Sequence, residues 1–138
     1  MVSVSYAQVL NGLMPAPVLA RLCKEVLEAI AHLHSLRVVH GDVKPDNILV
    51  SSFDFAFCAK LGDFGLAEHL EPGGTLTAWQ GTPGFIAPEM YLLRGQGTPV
   101  DVWALGVTGY CLLYDAMPWN MKEELKPQIE RQPIVPEP

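Results

Sequence analysis

Basic residues are scarce in this chain. Nine Lys and Arg stand against fifteen Asp and Glu, a formal net charge of −6 over 138 residues. A general nucleic-acid binder shows a basic stripe, so this balance argues against that class. Long apolar runs are missing as well, and none reaches the ~18 residues of a membrane span. The N-terminus lacks the basic-plus-apolar pattern of a signal segment. Cysteines are few. Cys23, Cys58 and Cys111 are odd in number and far apart, which argues against a disulfide framework, and no metal-ligand spacing appears. That usage fits a reducing compartment. An intracellular, cytoplasmic location is therefore the expectation, with the nucleus left open. No internal repeat or low-complexity tract is present.

What the chain does have is apolar material. Hydrophobic residues make up 49 % and charged ones 17 %, the balance of a globular domain rather than a disordered chain. Its length suffices for one domain with a real core. Tyr6, Val9, Leu10 and Leu13 recur at helical spacing and predict a short amphipathic helix within residues 1–13. Pro17 opens a second helix, where its missing N–H is an orphan in any case. Leu19, Leu22, Cys23, Val26, Leu27, Ile30 and Leu33 give that helix one apolar face. His32 and His34 near its end fall on different faces and read as structural or surface histidines rather than metal ligands. Val38-Val39, Ile48 to Val50 and part of Phe55 to Leu61 read as short strands, with Ser51 to Asp54 as a turn. Thr98-Pro99-Val100-Asp101 is a helix start, with Thr98 as the cap. The apolar stretch from Val100 to Tyr114 that follows predicts a helix buried on all sides. Residues 120–131 predict one more short helix, interrupted by Pro127, and the Pro-rich end from Pro127 to Pro138 reads as an irregular tail.

Between the two apolar segments Leu36 to Val39 and Ile48 to Val50 lies the stretch His40-Gly41-Asp42-Val43-Lys44-Pro45-Asp46-Asn47. Polar groups held at the mouth of a core usually have a task, since burying one unpaired costs about 1–3 kcal/mol. Asp63-Phe64-Gly65 follows, and then Ala87-Pro88-Glu89. Any one of these triplets is a weak signal, because tripeptides recur by chance. The three together, in order, resemble the signature set of eukaryotic protein kinases, whose catalytic loop usually reads H-R-D-x-x-x-x-N. Lys44 together with Gly81-Thr82-Pro83 resembles the serine/threonine branch, and Asp101, Trp103 and Gly106 match the family's D-x-W-x-x-G pattern.

The resemblance implies a fold that is α+β but mainly α, the C-terminal lobe of a protein kinase with small β-hairpins at the edge of the active site. It implies transfer of the ATP γ-phosphate to protein Ser or Thr hydroxyls, with ATP and Mg²⁺ as cofactors. Asp42 would be the catalytic base and Lys44 the group that reaches the transferring phosphate. Asn47 and Asp63 would hold Mg²⁺, a cation that prefers hard oxygen ligands. Leu49 would support the adenine ring. Phe64, Gly65, Thr82 and Glu89 would belong to the activation segment and the acceptor side. His40 would stack with Phe64, and Asp101 would tie the central helix to the catalytic loop. On its own, Asp101 reads more simply as a helix-capping carboxylate worth about 1 kcal/mol.

The resemblance spans essentially the whole chain, but the pattern departs from the family in two ways. No G-x-G-x-x-G and no V-A-I-K-like segment occurs, so the expectation for residues 1–138 is a partial domain. It would be the central part of the C-terminal lobe, without the N-terminal lobe or the final helices. A non-catalytic, kinase-like binding or scaffold module is the alternative that this opens. Expected partners are a protein substrate and, beyond it, another kinase or a regulatory subunit, with no nucleic acid and no membrane span. The second departure is Gly41, which stands where the family pattern has Arg. That Arg pairs with a phosphorylated residue of the long loop, a link that glycine cannot make. Packing by Leu76, Trp79, Phe85 and Ile86 is expected to hold the loop instead.

Overall fold

The computed structural model describes residues 1–5, 13–51, 57–76, 78, 80–92 and 96–131. Among these, four helices and two small antiparallel sheets are present. Helix α1 spans Ala16–Ser35, α2 Pro88–Leu92, α3 Pro99–Tyr114 and α4 Leu125–Arg131. The strands are β1 Val2–Ser3, β2 Val38–Val39, β3 Ile48–Val50, β4 Ala59–Leu61 and β5 Glu68–His69.

Helix α1 begins after Pro15, with Pro17 in its first turn. It buries Leu19, Leu22, Val26 and Ile30, one face at the helical period. Its exposed face carries the i,i+4 pair Lys24–Glu28 at 3.7 Å, which contributes little at a solvated position. The helix stops where Arg37 turns left-handed, at φ 56°, and the Arg37 N–H bonds to the His34 carbonyl. That turn sends the chain into β2, which pairs with β5. So Leu36 caps the helix rather than entering a strand, and only Val38 and Val39 are extended.

Strand β3 is central in the other sheet, flanked by β1 and β4. The β3–β4 register sets Ile48 opposite Leu61 and Val50 opposite Ala59. Ser51 closes this hairpin: its N–H bonds to the Cys58 carbonyl and its hydroxyl accepts from the Cys58 N–H. Arg21 and Glu25 of α1 brace the same hairpin. Arg21 donates to the Phe57 carbonyl and lies over its ring, while Glu25 accepts from the Ala59 N–H at 2.7 Å.

Val2 pairs with Val50 and Ser3 with Leu49 along one edge of β3, where strand backbone groups demand partners, and Val4 and Ser5 that follow are helical. Tyr6, Val9 and Leu10 lie outside the described residues, as do most of the turn from Ser51 to Asp54, Trp79, and the tail from 132 onward. Three expectations need correction. Thr98 does not cap α3 with its side chain. Its backbone is already helical, and the first N–H groups of the helix are met by the Gly97 and Thr98 carbonyls. Pro127 does not interrupt α4. It sits in the first turn, where a helix has no intrahelical use for the N–H.

The third correction concerns α3. Val100, Asp101, Ala104, Leu105, Val107, Thr108 and Leu112 are buried, and Ala104, Leu105 and Leu112 join α3 to α1 and to β3 in the main core. Val102 and Tyr114, however, are 49 % and 46 % exposed. Together with Gly106, Tyr110 and Leu113 they line an open apolar groove with Leu19, Cys23 and Leu27 of α1. No described element covers that side. A second core joins Val39, Leu70, Leu76, Ile86, Met90 and Val100, so the segment after Gly65 is pinned by packing at Leu70, Leu76 and Ile86.

Candidate active site

The site forms where β2 ends, β3 begins and β4 ends. Residues 40–44 leave β2 in an irregular path that is anchored from below. Asp101, 1 % exposed in the first turn of α3, accepts from the backbone N–H groups of His40 and Gly41, each at 2.9 Å. The same carboxylate meets His34 Nε2 of α1 at 2.8 Å. One buried side chain thus satisfies two loop donors and a side chain from a third element. Buried backbone donors almost always find such a partner.

His40 is fully buried. Its Nδ1 accepts from the Asp42 N–H at 3.3 Å, and its Nε2 lies 2.9 Å from the Gly62 carbonyl. The two contacts require a neutral ring with the proton on Nε2. Phe64 sits edge-on to this ring, centroids 5.0 Å apart. His40 therefore joins the loop to the turn after β4.

Asp42 is the hub. Its Oδ1 accepts from the Thr82 N–H at 3.1 Å and from the Thr82 hydroxyl at 2.6 Å. Its Oδ2 accepts from Lys44 Nζ at 2.7 Å and from Asn47 Nδ2 at 3.0 Å. Lys44 also donates to Thr82 Oγ1 at 2.7 Å. Burial pushes the Asp42 carboxyl up, but the bonds from Lys44 and Thr82, the Lys44 charge and Asn47 together outweigh it. The net effect holds Asp42 below the usual carboxylate range.

Residues 45–47 form one 3₁₀ turn, which Pro45 favours through its fixed φ and which the Asn47 N–H closes onto the Lys44 carbonyl. Asn47 spends its amide N–H groups on the carbonyl and the carboxylate of Asp42. Its side-chain oxygen is therefore the atom left to coordinate. The Gly62 N–H bonds to the Asn47 carbonyl at 2.8 Å, so the hairpin register brings the backbone next to Asp63 alongside Asn47. Asp63 is exposed and left-handed at φ 53°, with Oδ1 accepting from the Gly65 N–H. Asn47 and Asp63 offer hard oxygens from two sides of one hairpin. Among the described residues no group of three or more His, Cys, Asp or Glu could hold a metal by itself. Two protein oxygens fit Mg²⁺, which keeps waters and substrate phosphates as its other ligands.

Leu49 lies one residue into β3, and its Cδ1 would meet a Cβ at Gly62 at 3.3 Å, so the glycine lets the two strands close. Glu89 lies in the first turn of the short helix α2, and no hydrogen bond or ion pair joins it to the Asp42 cluster among the described residues. Two contributors were not singled out from sequence as site residues. His34 lies 67 positions from Asp101, and nothing in helical periodicity marks such a partner. Gln80 donates to the Leu66 carbonyl at 3.0 Å beside Gly41; its position just before Gly81-Thr82 was the one available signal.

A family model for the protein kinase domain matches residues 2–135. The chain belongs to the protein kinase family. Its helices and small antiparallel sheets agree with a kinase-like fold. Similar proteins are protein kinases by name, two of the following three serine/threonine kinases. Serine/threonine-protein kinase DCLK2 of Mus musculus is 46 % identical over 106 residues, covering 73 % of this chain and 14 % of that protein. Calcium/calmodulin-dependent protein kinase cmkA of Emericella nidulans is 41 % identical over 108 residues, covering 78 % of this chain and 26 % of that kinase. Serine/threonine-protein kinase D2 of Rattus norvegicus is 35 % identical over 120 residues, covering 87 % of this chain and 14 % of its own length. The kinase chain described here thus spans only a small part of these relatives. Among its described residues no helix is long and apolar enough to cross a membrane.

Proposed function

We propose that this chain carries the catalytic loop and acceptor side of a protein serine/threonine kinase that uses ATP and Mg²⁺. The observation that supports it best is the closed cluster of Asp42, Lys44, Asn47 and Thr82. Phosphoryl transfer needs little covalent chemistry from the protein; it needs positioning and charge neutralisation. Asp42 orients the acceptor hydroxyl and takes its proton. Lys44, held between Asp42 and Thr82, places a positive charge beside the acceptor, where the transferred group becomes more negative. Asn47 and Asp63 would hold Mg²⁺, which neutralises phosphate charge when bound. Leu49 supports the adenine on the floor of the nucleotide cleft. On this reading residues 1–138 are the central part of a C-terminal lobe, and the groups that grip the phosphates from above come from outside them. A protein substrate follows from the family.

The test is a pair of variants in the full-length protein. Asp42→Asn keeps the shape of the hub and removes its basicity, so turnover falls by roughly 10²–10⁴-fold while nucleotide affinity stays near wild type. Asp63→Ala removes Mg²⁺-dependent nucleotide binding instead. Full turnover in both variants would overturn the assignment.

A further inference from the structure

Gly41 is the point where three stretches of chain touch. Its backbone is left-handed, at φ 79°. A Cβ there would lie 3.0 Å from the Leu66 carbonyl oxygen and 3.2 Å from Gln80 Nε2. Those two atoms are bonded to each other at 3.0 Å. The side-chain amide of Gln80 therefore passes across the face of Gly41 to reach residue 66. Gly81 repeats the close approach in the other direction: at φ 113°, a Cβ there would lie 3.0 Å from the Gly41 carbonyl oxygen. The next residue is Thr82, whose N–H and hydroxyl both bond to Asp42. Residues 80, 81 and 82 thus run along residues 41 and 42 with a contact at every step.

We propose that Gln80 is a positioning residue for the acceptor side of the site. It clasps residue 66 to residue 80 over Gly41 and so presents Thr82 to Asp42. The absence of a side chain at position 41 leaves the clasp unstrained, since a Cβ there would press on Nε2 at 3.2 Å and on the Leu66 carbonyl oxygen at 3.0 Å. The link is uncharged, so it needs neither a phosphorylated partner nor a basic one, and salt does not screen it. This inference rests on the kinase reading for its catalytic consequence, but the clasp itself is a matter of geometry.

Amide hydrogen exchange on the full-length protein tests the clasp, with Thr82 as the reporter because its N–H bonds directly to Asp42. Gln80→Glu keeps the shape and replaces the donor by an acceptor that faces the Leu66 carbonyl. The expected result is an exchange rate at Thr82 raised about fivefold or more, the factor that loss of one ordinary hydrogen bond gives. The amide of Val107 in α3 should be unaffected. Gln80→Lys restores a donor and should recover most of the protection. In steady-state assays Gln80→Glu should raise KM for an acceptor peptide while KM for ATP stays constant, at both low and high salt. Unchanged exchange at Thr82, or an equal rise at Val107, would overturn the proposal. So would a loss confined to the nucleotide KM. If Gln80→Glu loosens Thr82 while Asp42→Asn leaves phosphoryl transfer intact, the kinase assignment falls and the clasp stands.

Discussion

Replacing Asp101 separates two accounts of the same carboxylate. If it serves as a helix cap, Asp101→Ala removes about 1 kcal/mol. The structure assigns it a different load: it accepts from His40 N–H, Gly41 N–H and His34 Nε2. Alanine would leave two buried backbone donors without partners, and each costs about 1–3 kcal/mol. A loss of about 2–6 kcal/mol follows, a large share of the ~5–15 kcal/mol that holds a domain together. Asparagine offers one oxygen and one NH₂ group. With its oxygen toward His40 and His34, it leaves only the Gly41 N–H facing a donor. Asp101→Asn should then be about half as damaging as Asp101→Ala. His34→Ala leaves both backbone donors satisfied and should lower stability by less than about 1 kcal/mol. Urea denaturation followed by far-UV circular dichroism gives all three values. Equal losses for the asparagine and alanine variants, or an alanine loss near 1 kcal/mol, would refute the claim that the stabilisation resides in the loop donors.

Gly41→Ala should destabilise by about 1–2 kcal/mol from the left-handed backbone alone, and the contacts at 3.0 and 3.2 Å add to it; a midpoint in urea unchanged from wild type would show that the loop shifts freely. Acid should weaken the site through Asp42. Its folded carboxyl is held below the ordinary value, so its contribution is complete above about pH 4 and is lost as pH falls through the depressed folded value. Asp42→Asn should flatten that part of the stability–pH curve, and an unaltered acid limb would count against the hub.

The elements with strong local signals could be read from sequence. Leu19, Leu22, Val26 and Ile30 mark the buried face of α1 by their spacing, and Ile48 to Val50 mark a strand by their branching. The residues of the catalytic loop were readable as a pattern, and the structure brings Asp42, Lys44, Asn47 and Thr82 into mutual contact. The reading was blind where a distant partner decides the outcome. The two-residue strand Val2–Ser3 carries no local signal and is extended because β3, more than forty residues away, offers an edge. Thr98 resembles a cap in sequence, yet the backbone carbonyls of Gly97 and Thr98, three residues before their donors, already serve the Val100 and Asp101 N–H groups. The groove along α3 was also out of reach, because an apolar helix reports what it needs to bury and not whether a neighbour is there to bury it. His34 and Gln80 act through single side-chain contacts that have no periodicity at all.

The hub at Asp42 has a kinetic meaning. Thr82 donates twice to one oxygen, and Lys44 and Asn47 donate to the other. A carboxylate has about four acceptor positions, so this one is saturated at rest. An incoming hydroxyl cannot simply add; it must exchange with a donor already in place. Water, small and weakly held, gains little by that exchange. An acceptor residue anchored by the rest of its peptide can drive it. On the proposed function, saturation at rest therefore disfavours attack by water on the nucleotide relative to attack by an anchored acceptor.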